Sequence, residues 1–401
     1  MSDIATERPK ISSERETSTS TTSFYRPELD VLRFVAFVMV FLFHLLPDKA
    51  SRYPSVHSSI FRDIYASIAC SMGFGVCLFF ILSAFLITTL LLREREVTSS
   101  VNLLAFYRRR ILRIWPLYSF ALILAFLACS LSRGFPGYGV IAAYLLMAGN
   151  LLPHFHLSGD IRPLKIFHLW SISVEEQFYL VFPIIARSVK AKFLPILCCL
   201  LAMLALFSLL YLANSNATKE EIWQNSFVQF LMFAAGIGIA VLCNGRRLPQ
   251  LLIPVRMLIL LLGILACFSA QYFFRIGGEG LYVSASHALF GYLLAMLGCS
   301  TLLLAVLGFP KRLPMPLIYL GKISYGLYVF HVWCIGLAAF LVGSFFHISM
   351  AEGTGGILMV LSKDLLAFAL TVTFAAISYH VVEKPFLRFK KKYEVVSTRS
   401  A

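Results

Sequence analysis

The feature that most constrains the fold is the recurrence of long apolar runs along most of the chain. A helix needs about 20 predominantly apolar residues to cross a bilayer. The chain is 59% hydrophobic and only 14% charged, with a mean hydropathy of +0.80. We therefore predict an all-α, polytopic membrane protein. The apolar runs lie at 31–47, 72–92, 111–131, 138–152, 170–186, 193–213, 227–243, 251–271, 284–307, 317–341 and 357–380.

Clusters of Lys and Arg indicate which runs cross the membrane, because such clusters usually stay in the cytoplasm. They lie at 93–113, 187–192, 244–256, 308–322 and 384–399. If all of them stay inside, an even number of crossings separates each from the next, and only the interval 113–170 contains one run too many. The run at 138–152 is the shortest and is interrupted by glycines. We predict about ten transmembrane helices plus one re-entrant or interfacial segment, with both termini cytoplasmic.

Three parts of the chain are expected. Residues 1–23 are rich in Ser, Thr and Glu and should form a disordered cytoplasmic tail. Residues 24–387 form the transmembrane domain, and 388–401 form a basic cytoplasmic tail; no soluble second domain is expected. The formal charge of +15 fits cytoplasmic loops, so no nucleic-acid partner is indicated. The nine cysteines include no CxxC pair and no cluster at zinc spacing, so we expect neither a disulfide framework nor a metal site.

Ionisable groups lie at both ends of the first apolar run. Asp30 and Arg33 lie one helical turn apart near its start and could pair, and His44 lies at its end. On a helix, Arg33 and His44 point within roughly 20° of each other and are about 16 Å apart along the axis. Two interpretations stay open. The three residues belong to a functional site, or they are a local ion pair and a histidine at the lipid headgroups.

Two adjacent carboxylates, Glu175 and Glu176, lie just before an apolar stretch, where acids are costly to bury. On a helix, His168, Ser171, Glu175 and Tyr179 share one face, and Glu176 is turned about 100° away. The two carboxylates are therefore expected to do different things. One would face the helix bundle and the other would hold a partner such as an arginine. A purely structural acid–arginine pair is the alternative.

Arginines are concentrated in the stretch 107–118. Arg109 and Arg113 are four residues apart and would share a helix face, with Arg110 beside them. Guanidinium groups suit phosphate because each can offer two parallel hydrogen bonds. A cytoplasmic ligand with several phosphates, such as an acyl-coenzyme A, would fit. The alternative is a positive-inside anchor without ligand.

Polar residues also occur within two other apolar stretches. Ser324, Tyr328 and His331 fall on one helical stripe, and an unpartnered polar group at the depth of His331 is costly. His331 is either a site residue or a hydrogen-bonding strut between helices. Ser83 lies in an apolar run, where small residues more often allow close helix packing than catalysis.

Six blocks of the sequence share a pattern with a known family. They are Arg26 to His44, Phe79 to Phe85, Arg108 to Tyr118, His168 to Tyr179, Gly321 to His331 and Glu383 to Pro385. In this order they resemble the acyltransferase-3 family of bacterial membrane acyltransferases, over residues 25–387. The chain has Val31, Phe34 and Ala84 where the family favours glycine, which concerns local helix packing. Family members with an additional extracytoplasmic hydrolase-like domain are not matched.

The resemblance implies transfer of an acyl group, commonly acetyl, from cytoplasmic acyl-coenzyme A to a hydroxyl of an exported carbohydrate or glycolipid, with no metal. It implies a multi-pass protein of the bacterial cytoplasmic (inner) membrane, in contact with membrane lipid. We predict that His44 is the general base, because an imidazole pKa near neutrality suits that role. The predicted catalytic residues are His44, His168, Glu175 and Glu176. The predicted donor-binding residues are Arg33, Arg109, Arg110 and Arg113. The predicted supporting residues are Asp30, Ser83, Trp170, Ser171, Tyr179, Ser324, Tyr328 and His331.

Two other functions stay open at this stage. The first is a proton-coupled secondary transporter that exports a polar small molecule and uses the intramembrane His and Glu residues as a proton relay. Transporters usually contain internal repeats or paired broken helices, and the two halves of this chain show no convincing duplication. The second is a non-catalytic scaffold or lipid-binding protein. The oligomeric state does not follow from the sequence.

Overall fold

The computed structural model describes residues 25–46, 59–131, 135–157, 164–246, 250–277, 280–309, 312–346, 357–390 and 393. Within these ranges all regular secondary structure is helical, which confirms the predicted all-α class. The predicted tail at 1–23 lies outside the described residues. Of the predicted tail at 388–401, the structure describes only 388–390 and 393.

Fifteen α-helices follow one another along the described chain. They are α1 Pro27–Leu45, α2 Ser59–Ser71, α3 Gly75–Thr98, α4 Leu103–Leu131, α5 Tyr138–Leu145, α6 Trp170–Ser188, α7 Leu194–Asn214, α8 Lys219–Gln224, α9 Ser226–Cys243, α10 Ile253–Tyr272, α11 Ala285–Val306, α12 Met315–Lys322, α13 Ser324–Phe346, α14 Ile357–Ser378 and α15 Lys384–Lys390. A π-helical turn, Tyr379–Glu383, joins α14 to α15.

Eight helical stretches of the described chain are long and apolar enough to cross a membrane. They are Ile60–Thr98, Leu103–Leu131, Ala191–Asn214, Ser226–Cys243, Ile253–Tyr272, Ala285–Val306, Ser324–Phe345 and Leu358–Phe389. Their length and composition agree with a multi-pass membrane protein. The stretch that contains α3 is the most enclosed of the eight. In its apolar 18-residue segment 72% of the residues are buried, against 17% in the stretch that contains α7. Helix α3 is therefore a central helix of the bundle.

Two further helices, α1 and α6, have 19 residues each, which is about 28 Å of helix. Each carries three charged residues within these 19 positions, whereas each of the eight stretches contains 18 consecutive residues with at most two. The charged residues are Glu28, Asp30 and Arg33 in α1, and Glu175, Glu176 and Arg187 in α6. The total of ten spanning helices stays a prediction. In the segment 138–152 the helix α5 has eight residues and is too short to span a bilayer. Its re-entrant or interfacial placement also stays a prediction.

Glycines allow α1 to pack closely against its neighbours α3 and α12. A Cβ atom at Gly321 would lie 1.9 Å from the backbone oxygen of Asp30, and one at Gly75 would lie 2.4 Å from that of Ala36. Because these distances leave no room for a side chain, α1 is fixed in position against both helices. We call the side of the bundle where α1 begins, near Arg33, the arginine end. The side where α1 ends, at His44, is the histidine end.

Candidate active site

A cavity of about 170 Å³ lies between α1, α3, α4, α6 and α13. Its lining contains eleven of the sixteen residues that the sequence predicts for the site. These eleven are Asp30, Arg33, Ser83, Arg109, Arg110, Arg113, Ser171, Glu175, Tyr179, Ser324 and Tyr328. The residues come from five helices that are far apart in the chain. The fold therefore assembles one site from most of the predicted residues.

Helix α3 lines the cavity along most of its length. Lining residues extend from Val76 near the start of the helix to Glu94 near its end, a rise of about 27 Å. Between Val76 and Thr88, only Phe79, Ser83 and Leu86 are not fully buried. Their spacing of four and three residues places them on one helical face. The hydrocarbon core of a bilayer is about 30 Å thick, so the cavity is long enough to reach most of the way across it.

Charged residues dominate the arginine end of the cavity. The Arg33 guanidinium donates to Asp30 at 3.0 Å, which confirms the predicted pair. Arg109 forms an ion pair with Glu94 at 3.0 Å and also donates to the backbone oxygen of Tyr393 at 2.6 Å. The guanidinium carbon of Arg110 lies over the Tyr179 ring, 4.9 Å from its centroid. This end of the cavity therefore presents several guanidinium groups held by acidic and aromatic side chains.

Glu175 and Glu176 occupy different surroundings, as predicted. Glu175 lines the cavity, and the Ser83 hydroxyl donates to its Oε1 at 2.6 Å. Glu176 is not among the lining residues, and its buried Oε1 has no hydrogen-bond partner among the described residues. Ser83 therefore does more than allow close helix packing, since it holds a carboxylate inside the cavity.

The far end of the cavity is closed by hydrogen bonds of Tyr328. The Tyr328 and Ser171 hydroxyls are 2.6 Å apart, and the Tyr328 phenol also donates to the backbone oxygen of His168 at 2.8 Å. The Tyr328 ring lies 5.5 Å from both the His168 and the His331 rings. Tyr328 thus has the cavity on one side and histidines on the other.

Three histidine rings form a cluster at the histidine end. The centroid of the His331 ring lies 5.0 Å from that of His44 and 4.8 Å from that of His168. His44 is therefore not an isolated imidazole at the end of α1. Within the part of the chain that the structure describes, no group of His, Cys, Asp or Glu has an arrangement that could hold a metal ion. The cluster presents three potential proton acceptors without a metal site.

Backbone carbonyls fix which nitrogen of two cluster rings carries a proton. His168 Nε2 lies 3.2 Å from the carbonyl oxygen of Val329, and His331 Nδ1 lies 2.6 Å from that of Tyr328. A carbonyl oxygen can only accept, so these two nitrogens donate. The other nitrogens, His168 Nδ1 and His331 Nε2, are buried and have no partner among the described residues. In a neutral imidazole such a nitrogen carries a lone pair that can accept a proton.

His168 has a different placement from the one expected on a helix face, and the predicted supporting residue Trp170 does not line the cavity. His168 belongs to the 3₁₀ turn Phe167–Leu169, which precedes α6, so its ring joins the histidine cluster instead of the cavity wall. Trp170 is 6% exposed and packs against Phe80 and Trp223, with ring centroids 6.2 and 6.4 Å away. Trp170 thus supports the helix packing around the site.

Several lining residues were not predicted from the sequence. Glu94 is 2% exposed and holds Arg109, and Phe79 lines the cavity opposite Tyr328. An acidic residue among the basic ones at 93–113 was a signal for Glu94, whereas Phe79 lies in an apolar run and had no local signal. Tyr325 also lines the cavity and donates to the backbone oxygen of Ile114 at 2.9 Å.

Gln177 of α6 forms hydrogen bonds both to the segment before α6 and to Ser226 at the start of α9. Its side-chain amide donates to the Met147 backbone at 3.0 Å and to Asn150 Oδ1 at 2.9 Å. The Ser226 hydroxyl donates to Gln177 Oε1, and Asn150 Nδ2 donates to the Ser226 hydroxyl at 3.0 Å. This closed network of buried and partly buried polar groups fixes the orientation of α6, which carries Ser171, Glu175 and Tyr179.

Comparison with known proteins supports an enzymatic role for this arrangement. A family model described as an acyltransferase domain matches residues 26–380. The chain belongs to this acyltransferase family. The match confirms the resemblance inferred from the six sequence blocks and supports an O-acyltransferase enzyme. All sixteen predicted site residues lie inside the matched range.

Two relatives of this acyltransferase are both named O-acetyltransferase OatA, one from Staphylococcus aureus strain NCTC 8325 / PS 47 and one from strain COL. Each is 26% identical to this chain over 392 residues, which cover 90% of this chain. The match covers only 57% of each relative, so the chain spans less than two thirds of their length. No solved structure matches the chain.

Proposed function

We propose that this acyltransferase moves an acyl group, commonly acetyl, from acyl-coenzyme A to a hydroxyl of an exported carbohydrate or glycolipid. One observation carries the proposal. The cavity has guanidinium groups at one end, and at its other end it is lined by Tyr328, whose ring contacts His168 and His331 of the cluster of three imidazoles. The names of the relatives, O-acetyltransferases, support the reaction class.

The donor side is the arginine end. Arg33, Arg109, Arg110 and Arg113 line the cavity there and would bind the phosphates of the donor. The face of α3 that carries Phe79, Ser83 and Leu86 would contact the extended arm between the phosphates and the thioester. Because the cavity follows α3 for about 27 Å, the thioester would lie well inside the protein while the phosphates stay near the surface.

The acceptor side is the histidine end. We assign His44 as the general base, with His168 and His331 close enough to share the proton. An unpartnered imidazole nitrogen can accept a hydrogen bond from a hydroxyl and then take its proton. The hydroxyl of the acceptor would therefore lie against the imidazole cluster, with Tyr328 between it and the donor in the resting arrangement.

The reaction joins the acceptor hydroxyl on the histidine side of Tyr328 to the thioester on the cavity side, and its bonds and protons balance. The acceptor oxygen forms the new ester bond with the acyl carbon, and the carbon–sulfur bond of the thioester breaks. The hydroxyl proton goes to the imidazole, which later releases it to water, and coenzyme A leaves as a thiolate that takes up a proton from water. Arg110 and Arg113 act electrostatically on Glu175 in the middle of the cavity. Glu175 would keep these guanidinium groups in place for the phosphates of the donor, and Glu176 would balance charge from outside the cavity.

The membrane orientation follows from the same assignment. We propose ten spanning helices, including α1 and α6, in the bacterial cytoplasmic membrane, with both termini in the cytoplasm. The arginine end then faces the cytoplasm, where acyl-coenzyme A is available, and the histidine end faces outward. Support comes from the basic residues at the arginine end, because positive residues favour the cytoplasmic side.

Replacement of His44 by Ala tests the proposal. We expect transfer to fall by about 100-fold or more, because general-base catalysis commonly contributes that much. The measurement uses membrane vesicles supplied with radiolabelled acetyl-coenzyme A and follows both thiol release and label in the extracted envelope material. The control is His154→Ala, because His154 is exposed and outside the cluster. It should keep wild-type transfer.

Two results would contradict the assignment. Full transfer by a His44→Ala protein that inserts normally would remove His44 from the mechanism. Wild-type vesicles that neither release coenzyme A nor label any envelope component, but take up a small solute with protons, would favour the transporter.

A further inference from the structure

The cavity is polar at one end and apolar at the other. Guanidinium groups line the arginine end, whereas Val76, Phe79, Phe80 and Ile172 line the end near Tyr328. Coenzyme A carries its phosphates and its acyl group at opposite ends of one extended molecule. A donor bound through its phosphates at the arginine end therefore points its acyl group at the apolar end.

The apolar end is closed and offers little room to expand. Phe80 is 1% exposed and stacks on Phe233, with ring centroids 5.0 Å apart. The Tyr328 phenol is held by Ser171 and by the His168 carbonyl. In the resting arrangement buried neighbours hold both walls, so a longer acyl chain could displace them only by breaking packing or hydrogen bonds.

Between the walls formed by Phe80 and Tyr328, the large side chain of Phe79 faces the cavity. Its ring meets the Tyr328 ring edge-on at 6.0 Å, and it is only partly buried, unlike its neighbours Leu78 and Phe80. It lies on the same face of α3 as Ser83, one turn nearer the closed end. A longer acyl chain would therefore have to occupy the space that the Phe79 ring fills.

We propose that Phe79 sets the length of the acyl chain and restricts the donor to short-chain thioesters, such as acetyl- or propionyl-coenzyme A. This inference rests on the proposed function, since it takes an acyl-coenzyme A as the occupant of the cavity. One methylene in an apolar pocket changes discrimination by about 10- to 200-fold. Removal of the Phe79 ring frees the volume of several methylene groups.

A competition experiment tests the proposal on the purified full chain. Radiolabelled acetyl-coenzyme A is displaced by unlabelled acetyl-, butyryl- and hexanoyl-coenzyme A from wild type, Phe79→Ala and Leu90→Ala. Leu90 lines the cavity on the same helix, nearer the arginine end. The Leu90→Ala substitution therefore removes a similar apolar volume, but at a distance from the acyl group. We expect Phe79→Ala to improve butyryl- relative to acetyl-coenzyme A by about 10-fold or more, and Leu90→Ala to keep the wild-type order.

The outcomes separate this proposal from the one on which it rests. Wild type that binds no acyl-coenzyme A overturns the proposed function and this inference with it. Wild type that binds acetyl- and hexanoyl-coenzyme A equally well, or a Phe79→Ala protein with the wild-type order, overturns the chain-length assignment alone. If Phe79→Ala does not fold, Phe79→Leu decides, with a smaller shift in the same direction expected.

Discussion

Single residues in the cavity wall carry charges that must be compensated inside the protein. Glu94 and Arg109 are the clearest pair, with side chains 3% and 15% exposed and 3.0 Å between the charged atoms. Glu94 also accepts a hydrogen bond from the Asn102 backbone at 2.8 Å. If Glu94 is removed, a guanidinium group is left in poorly hydrated surroundings, which costs far more than the pair itself contributes.

A double-mutant cycle measures this compensation. We expect Glu94→Ala to lower the free energy of unfolding by about 3 kcal/mol, and Glu94→Ala with Arg109→Ala together to cost less than the sum of the single changes. Thermal or denaturant unfolding of the purified protein gives these values. The exposed pair Arg275–Asp63, with side chains 70% and 53% exposed, is the control, and its coupling should stay below about 1 kcal/mol. Equal coupling in the two pairs would contradict this explanation.

Eleven of the sixteen residues predicted for the site line the cavity, but the sequence could not show how they combine. Charged or polar residues in apolar runs are conspicuous, which is why Arg33, His44 and Glu175 were predicted as site residues. The contact between His44 and His331 joins α1 to α13, and no local pattern encodes a pairing over that separation. Phe79 was missed as a lining residue because a phenylalanine in an apolar helix has the same local signature whether it faces a core or a cavity.

At the scale of secondary-structure elements, close helix contacts position the site. Helix α12 meets α1 where Gly321 lies against the backbone of Asp30. We expect Gly321→Ala to lower the free energy of unfolding by about 1–3 kcal/mol, because a Cβ atom 1.9 Å from a backbone oxygen forces the helices apart. Donor binding should weaken as well, since Asp30 holds Arg33. Thermal unfolding and radiolabelled acetyl-coenzyme A binding provide the two measurements.

The control for this contact is Gly139→Ala. A Cβ atom at Gly139 would have only Leu157 Cδ1 within 4 Å, at 3.6 Å, an ordinary contact distance. This variant should therefore unfold like the wild type. A Gly321→Ala protein with wild-type stability would show that the α1–α12 contact is not tight and that Arg33 is not positioned through it.

Helix ends were harder to predict than helices. The apolar runs located the long helices because composition alone separates them from loops. Two features were missed because they depend on tertiary contacts. The run at 317–341 is divided into α12 and α13, where α12 packs on α1. The chain around Glu383 forms a π-helical turn, and Glu383 is buried there. Neither has a signal in local hydrophobicity.

At the scale of the whole molecule, the arginine and histidine ends differ in the chemistry they can support. Guanidinium groups suit the phosphates of the donor, and neutral imidazoles suit the hydroxyl of the acceptor. The two are joined by a cavity along α3 and separated by Tyr328. We therefore propose that acyl transfer proceeds across the membrane, from the arginine end to the histidine end.

Sealed, inverted membrane vesicles test this claim most directly. Radiolabelled acetyl-coenzyme A, which does not cross the bilayer, is supplied outside the vesicles on the cytoplasmic face, and label is then measured in carbohydrate and glycolipid enclosed in the lumen. We expect label to appear in the lumen with wild-type protein and to be lost with His44→Ala. Label that reaches only molecules on the donor's side, or that enters the lumen equally with His44→Ala, would contradict this claim.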